Sequence, residues 1–253
     1  MGDGGDGIGA VSEDRLLGGR VVLRQPVQGF RAAIDPVLLA AAVPAEPGQT
    51  VLELGAGTGA ASLCLARRVP GARVTGLDRQ RELVRLAAEN AQLNGLAPPA
   101  CDFMVGDLLQ PPARLGPGSF DHVMANPPFL EAGTATLPPD PSRALAVGEG
   151  EADLAGWIRF ALVMVRTRGS VTFIHRADRL DALLAALAGK AGEIVVFPLW
   201  PGAGKPAKRV LVRARRGIQT PLKLSAGLVL HEPGGKFTAD ADTVLREGAG
   251  LVL

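Results

Sequence analysis

The sequence predicts one doubly wound α/β domain, built on a mainly parallel sheet of seven strands with an antiparallel strand at its edge. Two observations lead to this fold class. From residue 50 onward, short apolar or β-branched segments alternate with segments of helical periodicity, which is the pattern of helices packed on both faces of a parallel sheet. Near residue 200, two strand-like segments follow one another without a helix between them, which predicts the antiparallel edge strand.

The individual elements follow from periodicity and from the residues that end helices and strands. Asp35 is a good N-cap residue and Pro36 suits the first turn of a helix. Asn94-Gly95 ends another predicted helix, and a double proline after residue 126 ends a strand. We expect strands at residues 21–23, 50–54, 73–78, 103–105, 120–125, 170–175, 193–199 and 209–215. We expect helices at residues 36–43, 60–69, 83–93, 153–165 and 178–187.

Length and composition restrict the organisation of the chain. Its 253 residues can bury a core without disulfides or structural metals, and we expect a disordered tail at 1–14 followed by a single domain at 15–253. The tail does not resemble a signal peptide, and no apolar run approaches the roughly 20 residues of a membrane span, so no membrane association is expected. Cys64 and Cys101 form no C-x-x-C pair and the three histidines have no metal spacing, which predicts no metal and a cytoplasmic location.

A glycine-rich loop lies between the predicted strand at 50–54 and the predicted helix at 60–69. The loop consists of Gly55, Ala56, Gly57, Thr58 and Gly59. Glycines let the backbone approach a ligand closely, while the N-terminus of the following helix presents free N–H groups. This arrangement is typical of sites for nucleoside-containing cofactors. The loop alone also fits the dinucleotide fingerprint, so a nicotinamide-dependent oxidoreductase is an alternative.

Three acids help to distinguish between these cofactors. Glu53 precedes the first glycine by two residues, where it would repel a pyrophosphate and suit a cation. Asp78 ends the next strand and can accept hydrogen bonds from ribose hydroxyls in either cofactor class. Asp107 follows the third strand and can accept from an adenine amine. Together they favour S-adenosylmethionine; the alternative is an ion-paired acid and two turn-forming aspartates.

The segment Asn126-Pro127-Pro128-Phe129 follows the strand at 120–125, at the end where open α/β sheets bind ligands. An aromatic amine is a poor nucleophile because its lone pair is delocalised, so an enzyme needs acceptors for the two amine hydrogens. The Asn126 side chain and the Pro127 carbonyl can accept them, rigid prolines hold both, and Phe129 can stack on a base. If the methyl group is held about 3 to 3.5 Å from the nitrogen, its transfer requires no catalytic histidine. The alternative is a plain turn that closes the strand.

With these residues the chain resembles the bacterial tRNA-valine anticodon-loop adenine N6-methyltransferases, which have a Rossmann-like class I methyltransferase fold. The resemblance rests on residues 28–39, 54–59 and 126–129 and on Asp78 and Asp107. It implies methyl transfer from S-adenosylmethionine to N6 of an adenine in RNA, most simply tRNA. It implies a cofactor site made by Glu53, Gly55, Ala56, Gly57, Thr58, Gly59, Asp78, Arg79, Asp107, Leu108 and Asn126. It further implies that the base is held by residues 126–129 and that the entrance is lined by Phe30, Arg31 and Asp35.

Related families share the Asn-Pro-Pro-aromatic motif. Release factor glutamine methyltransferases and some ribosomal RNA guanine-N2 methyltransferases also resemble this chain, so the motif predicts a planar nitrogen acceptor without selecting one. The glutamine enzymes usually carry an added helical N-terminal domain, which we do not find in this sequence. A non-catalytic RNA-binding relative is a further alternative, although the motifs show no sign of decay.

Basic residues are concentrated between residues 205 and 223, where the sequence has no acid. The predicted RNA-binding residues in this run are Lys205, Lys208, Arg209, Arg213, Arg215 and Arg216, and Lys223 ends it. Such a density suggests a phosphate-binding face. A structured tRNA loop offers bases that are already unstacked, whereas a DNA enzyme usually carries a separate recognition region, so an RNA partner is favoured. The alternative is an edge strand protected by charge against aggregation.

Overall fold

The computed structural model describes residues 9–28, 31–128 and 153–253, so the predicted site residues Phe30 and Phe129 lie outside the described residues. The strands in these ranges are β1 (Val11–Leu16), β2 (Val21–Pro26), β3 (Thr50–Leu54), β4 (Arg73–Asp78), β5 (Cys101–Val105), β6 (Phe120–Ala125), β7 (Val165–Arg176), β8 (Ala191–Trp200), β9 (Arg209–Arg216), β10 (Lys223–Leu224) and β11 (Leu228–Val229). The helices are α1 (Asp35–Ala42), α2 (Ala60–Arg68), α3 (Arg81–Leu93), α4 (Leu154–Met164), α5 (Leu180–Leu187) and α6 (Ala239–Asp242). The predicted elements are confirmed, and nearly all of their ends agree within two residues; β2 ends three residues later than expected and β7 begins five residues earlier.

The seven long strands of the central sheet have the order β5-β4-β3-β6-β7-β9-β8. The pairs from β5 to β7 are parallel. The short strands β10 and β11 pair with β8 and complete a nine-stranded sheet. From β3 the chain builds β4 and β5 on one side and then returns to build β6 and β7 on the other. The doubly wound prediction is therefore confirmed, and the point at which the strand order reverses lies between β3 and β6.

The antiparallel strand lies at a different place from the one predicted. β9 is antiparallel to both β7 and β8, so the expected antiparallel pair is confirmed, but β9 sits between these two strands and the antiparallel strand therefore lies one position inside the edge formed by β8. Val212 of β9, for example, pairs with Phe173 on one side and with Val196 on the other. Two consecutive strands predict an antiparallel pair, but the sequence does not show which of the two pairs with β7. Here β9 turns back from β8 and fills the gap beside β7.

The first element of the described residues is a β-hairpin. β1 and β2 pair antiparallel from Val11 opposite Pro26 to Leu16 opposite Val21. The predicted disordered tail is therefore wrong for residues 11–14. The side chains of β1 are exposed or half-buried, so its sequence carries little core signal, and pairing with the half-buried strand β2 orders it.

Two asparagines of α3 hold this hairpin against the body of the domain. Asn90 accepts from the Arg24 backbone N–H at 2.9 Å and donates to the Arg24 carbonyl at 2.9 Å. Asn94 makes the same pair of bonds with Val22, at 2.8 and 2.7 Å. These side-chain amides take the place of a neighbouring strand along the free edge of β2, because each supplies one donor and one acceptor.

The helices cover both faces of the sheet and enclose two apolar cores. One core lies under α1 and α2 and includes Leu38, Leu39 and Leu63. The other lies under α4 and α5 and includes Phe173 and Ile158. The last part of the chain, from β11 onward, packs into the first core through buried side chains, which are Leu228, Leu230, Ala241, Val244, Leu245 and Leu253. None of the described helices combines the length and the apolar character needed to cross a membrane.

Candidate active site

The carboxyl ends of β3, β4 and β6 meet at one edge of the sheet. Leu54, the last residue of β3, pairs with Leu77 of β4 and with Ala125 of β6. The residues that follow along each chain segment are the glycine loop, Asp78 and Asn126. Because parallel strands end at the same edge, the predicted cofactor loop and the Asn-Pro-Pro segment lie side by side, next to the point where the strand order reverses.

The glycine loop is anchored to β4 by backbone hydrogen bonds and borders open space at Gly57. The N–H groups of Gly55 and Ala56 both donate to the Leu77 carbonyl, at 2.8 and 3.0 Å. Gly57 has φ +52°, and a Cβ added there would have no atom of the described residues within 4 Å. A Cβ added at Gly55 would lie 2.8 Å from the ring of Trp157 on α4. The loop therefore needs glycine for its backbone conformation at residue 57 and for close packing at residue 55.

Asp78 is buried at the end of β4 and faces this loop. Its carboxylate accepts hydrogen bonds from the backbone N–H groups of Gly57 and Gln80, both at 2.8 Å. Burial raises its pKa, an effect that these two bonds oppose. Arg79, the next residue, is exposed. The structure thus brings Asp78 into contact with the predicted cofactor loop, as a role in binding the ribose of a cofactor would require.

Glu53 has different surroundings from those expected of a cofactor ligand. Its side chain accepts from the backbone N–H of Ser62 at 2.9 Å and from the Ser62 hydroxyl at 2.5 Å. Burial raises the pKa of Glu53 to about 8, against the effect of the Ser62 bonds. A carboxyl group with this pKa is largely protonated at neutral pH. In this structure Glu53 ties β3 to α2, below the loop.

Asp107 lies beside Asp78 but is engaged in a turn. The Gly106 N–H donates to the Asp78 carbonyl at 2.9 Å, which fixes the start of the segment. The Asp107 carboxylate accepts from the Leu109 N–H at 2.8 Å. Asp107 and Leu108 are both half-buried. The turn-forming contact considered for Asp107 is therefore present, and its second carboxylate oxygen still has capacity to accept a hydrogen bond.

The Asn-Pro-Pro segment emerges directly from the sheet. Ala125, which precedes it, is paired with Leu54 on one side and with Phe173 on the other. Asn126 is half-buried, whereas Pro127 and Pro128 are buried. Strand pairing on both sides fixes the direction in which the segment leaves β6, and the prolines restrict its backbone further.

The two described residues of the predicted entrance are held by ion pairs. Arg31 contacts Asp14 of β1 and donates to the Ser12 hydroxyl at 2.6 Å. Asp35 begins α1 and forms an ion pair with Arg209 at 3.1 Å. Arg209 begins β9, at the same edge of the sheet as the ends of β6 and β7. Asp35 therefore lies at the edge that carries the glycine loop.

The predicted RNA-binding residues do not lie on one surface. Lys205 and Lys208 are exposed and precede Arg209, so this group lies at the edge of the candidate active site. Arg213, Arg215 and Arg216 lie farther along β9, toward the opposite edge of the sheet. Arg213 donates to the Leu253 backbone oxygen at 2.8 Å, Arg215 pairs with Glu193 at 3.1 Å, and Arg216 donates to the Val165 carbonyl at 2.7 Å.

Three residues near the site were not identified from the sequence. The Trp157 ring packs against the glycine loop, and Asn90 of α3 donates to the Thr58 carbonyl of that loop at 3.0 Å. His175 is buried near the end of β7, where burial lowers its pKa to about 4 and its Nε2 atom has no partner among the described residues. Nothing in the local sequence distinguishes Trp157 or Asn90 from ordinary helix residues, because their contacts are made across the fold.

Comparison with known proteins agrees with this geometry. The model of the methyltransferase small domain family matches residues 33–138, which contain the glycine loop, Asp78 and Asn126. A solved structure described as a predicted O-methyltransferase of Agrobacterium tumefaciens superposes with a TM-score of 0.71 at 26% identity, covering 86% of this chain and 98% of that one. The chain has the class I methyltransferase fold. The predicted fold class is thus confirmed by a solved structure as well as by the topology of the sheet.

Relatives of this chain include members of the families expected from the motifs. A tRNA1(Val) (adenine(37)-N6)-methyltransferase of Porphyromonas gingivalis is 34% identical over 61% of this chain and 62% of its own length. Its counterpart in Aeromonas hydrophila is 28% identical over 83% of this chain and 86% of its own length. A release factor glutamine methyltransferase of Deinococcus radiodurans is 35% identical over 66% and 58%. The matched segments thus cover about three fifths of the length of the Porphyromonas gingivalis and Deinococcus radiodurans relatives. The resemblance to the tRNA-valine family is confirmed.

Proposed function

We propose that this chain transfers a methyl group from S-adenosylmethionine to the exocyclic N6 of an adenine in RNA, with a tRNA anticodon loop as the substrate. The observation that supports this most directly is the position of Asn126. Its strand neighbour Ala125 pairs with Leu54, which immediately precedes the glycine loop, so the base-binding motif and the cofactor loop are adjacent. Proximity of this kind is the main requirement for methyl transfer to a weak nucleophile.

The residues present fit S-adenosylmethionine. The open space above Gly57 admits a ligand against the loop backbone, and the Asp78 carboxylate beside it suits ribose hydroxyls. Asp107, at the end of the neighbouring strand β5, is proposed to accept from the adenine of the cofactor. Bound there, S-adenosylmethionine supplies an electrophilic methyl group. Glu53 supports the loop through Ser62 and, being buried and largely protonated, contributes no full negative charge to the site.

The chain's own part in the reaction is to bind and orient the amine. The Asn126 side-chain oxygen accepts one amine hydrogen and the Pro127 carbonyl accepts the other, which favours a pyramidal nitrogen with an available lone pair. Phe129, with Pro128 before it, is proposed to stack on the base. Buried prolines next to a paired strand hold both acceptors with little entropy to lose. The released proton passes to water, so no histidine takes part.

The RNA contact is proposed for the edge that carries the site. Lys205 and Lys208 are exposed there, and Arg209 is anchored by Asp35. Phosphate contacts from such residues position an RNA without reading its sequence. An activity on tRNA also agrees with the cytoplasmic location expected from the sequence.

A second candidate is methyl transfer to a protein glutamine. It is favoured by the Deinococcus radiodurans relative, whose identity of 35% is similar to that of the first tRNA enzyme. A glutamine amide presents the same two hydrogens to Asn126 and Pro127 as an adenine amine does. Substrate, rather than cofactor or chemistry, separates the two candidates.

The test is transfer of tritiated methyl groups from S-adenosylmethionine to unmodified total tRNA and, separately, to release factor, followed by digestion and chromatography. We expect labelled N6-methyladenosine. Asn126→Ala should abolish transfer while cofactor affinity stays within a few-fold, and Gln92→Ala on the exposed face of α3 is the control. Label in glutamine alone would establish the second candidate, and wild-type turnover by Asn126→Ala would refute the role of the motif.

A further inference from the structure

A cavity lies at the opposite edge of the sheet from the candidate active site. It has a volume of about 550 Å³ and is bounded by the starts of β6, β7 and β8 and by the end of β9. We call it the amino-edge cavity. Since β9 runs antiparallel to its neighbours, Arg209 lies at the active-site edge and Arg215 at the cavity, roughly 20 Å away at the usual rise of a strand.

The amino-edge cavity is strongly basic. Its basic lining residues are Arg166, Arg168, Arg213, Arg215 and Lys223. Three of its arginines are already engaged: Arg166 pairs with Asp121 at 3.0 Å, Arg215 pairs with Glu193 at 3.1 Å, and Arg213 donates to the backbone oxygen of Leu253, which also lines the cavity, at 2.8 Å. Among the described residues, Arg168 and Lys223 have no ion-pair partner. The cavity therefore keeps an excess of positive charge that its own acids do not neutralise.

The backbone around the cavity is irregular at two of its charged residues. Arg168 has φ +64° and Glu193 has φ +45°, and they are two of the three described non-glycine residues with positive φ. Glu193 falls inside the register shift between β8 and β9, and the β6–β7 pairing is interrupted just before Ser170. Bulges of this kind redirect side chains, and strained residues persist only where the surrounding structure holds them.

A buried polar wall closes the inner side of the cavity. His122 contacts the Ser170 hydroxyl through Nδ1 at 2.8 Å and the Gln49 side-chain oxygen through Nε2 at 2.9 Å. Because the Gln49 oxygen can only accept, the proton of His122 lies on Nε2 and Ser170 donates to Nδ1. Burial lowers the pKa of His122 to about 4, and nearby arginines act in the same direction. The wall is thus neutral and does not compensate the arginines.

We propose that the amino-edge cavity binds a small phosphate-bearing anion of pyrophosphate or nucleotide size. Guanidinium groups match phosphate oxygens in geometry as well as in charge, and four arginines together with Lys223 line this concave space, which is large enough for such a ligand. A concave site favours a compact anion over the exposed backbone of an RNA helix. The proposal does not depend on the methyl acceptor, because the cavity and the candidate active site lie at opposite edges of the sheet.

The test is calorimetric titration of the full chain with pyrophosphate, comparing wild type with Arg168→Gly/Lys223→Ala. Glycine at residue 168 relieves the positive φ, so this variant should fold at least as well as wild type, which a thermal melt checks. We expect it to lose pyrophosphate affinity by about tenfold or more. Arg85→Ala, on the exposed face of α3, is the matched control and should leave affinity unchanged.

A competition experiment separates a small anion from RNA. Pyrophosphate and an anticodon stem-loop RNA should bind at the same time, and the double variant should retain its RNA affinity. The proposal is overturned if pyrophosphate does not bind, if the folded double variant binds it as wild type does, or if the RNA displaces it. The last result would assign the cavity to the RNA-binding surface.

Discussion

Replacement of Asn90 by alanine should affect both stability and cofactor binding, because this side chain joins two parts of the molecule. Asn90 is fully buried. It makes three hydrogen bonds, two with the Arg24 backbone and one to the Thr58 carbonyl of the glycine loop. The Arg24 bonds hold the hairpin, and the Thr58 bond holds the loop. Asn90→Ala leaves one backbone N–H and two carbonyls without this partner.

The expected loss of stability follows from these bonds. At a net value of about 1 kcal/mol for each hydrogen bond, Asn90→Ala should lower the free energy of unfolding by about 3 kcal/mol. For a chain of this size that corresponds to a fall in melting temperature of roughly 6 to 12 °C. The protein should still fold, since domains of this kind have about 5 to 15 kcal/mol of stability. Urea denaturation followed by circular dichroism measures the change.

Asn94→Ala is the matched control because Asn94 holds the same hairpin without touching the loop. It bonds the Val22 N–H and carbonyl and the Asn90 carbonyl. We therefore expect a similar loss of stability in both variants, but weaker binding of S-adenosylmethionine only in Asn90→Ala, measured by calorimetry. A stability change below about 1 kcal/mol in Asn90→Ala, or equal cofactor affinity in the two variants, would refute the reasoning.

Three further predictions concern two buried histidines, the buried Glu53 carboxyl group and the glycine loop. His122 and His175 have folded pKa values of about 4 against 6.5 when unfolded, so the unfolded chain binds more protons between these values and stability should fall by roughly 3 kcal/mol per histidine from pH 6.5 to 4. Denaturation at several pH values checks this, and a flat profile would contradict it. Glu53 has a pKa raised to about 8, so ionisation opposes folding as pH rises from about 4.5 to 8. Glu53→Gln should gain stability over wild type across that range while cofactor affinity stays within about threefold; a larger loss would make the ionised carboxylate a ligand. Gly57→Ala should cost about 1 to 3 kcal/mol through its positive φ and place a methyl group in the open space above the loop, so calorimetry should show at least about tenfold weaker cofactor binding.

The candidate active site was largely predictable because its signals are local. A strand that runs directly into glycines, an aspartate at the end of the next strand and an Asn-Pro-Pro segment after a later strand each depend on neighbouring residues. Once the sheet is parallel, their meeting at one edge follows, as the pairing of Leu54 with Ala125 shows. The contacts of Glu53 were not predictable, since its partner Ser62 lies on α2 and the burial that raises its pKa is a property of the packed core.

The sequence by itself determined the order of strands and helices, the doubly wound class and the residues at the carboxyl ends of β3, β4 and β6, because periodicity and turn residues act over short distances. Only the tertiary structure decided where β9 inserts, because antiparallel pairing is possible on either side of β8. It also decided that the basic run from residue 205 to 223 divides between two edges of the sheet. The two ends of β9, a strand of eight residues, are too far apart to belong to one surface. The number of charges along the sequence does not reveal this distance, because it depends on the strand being extended across the sheet.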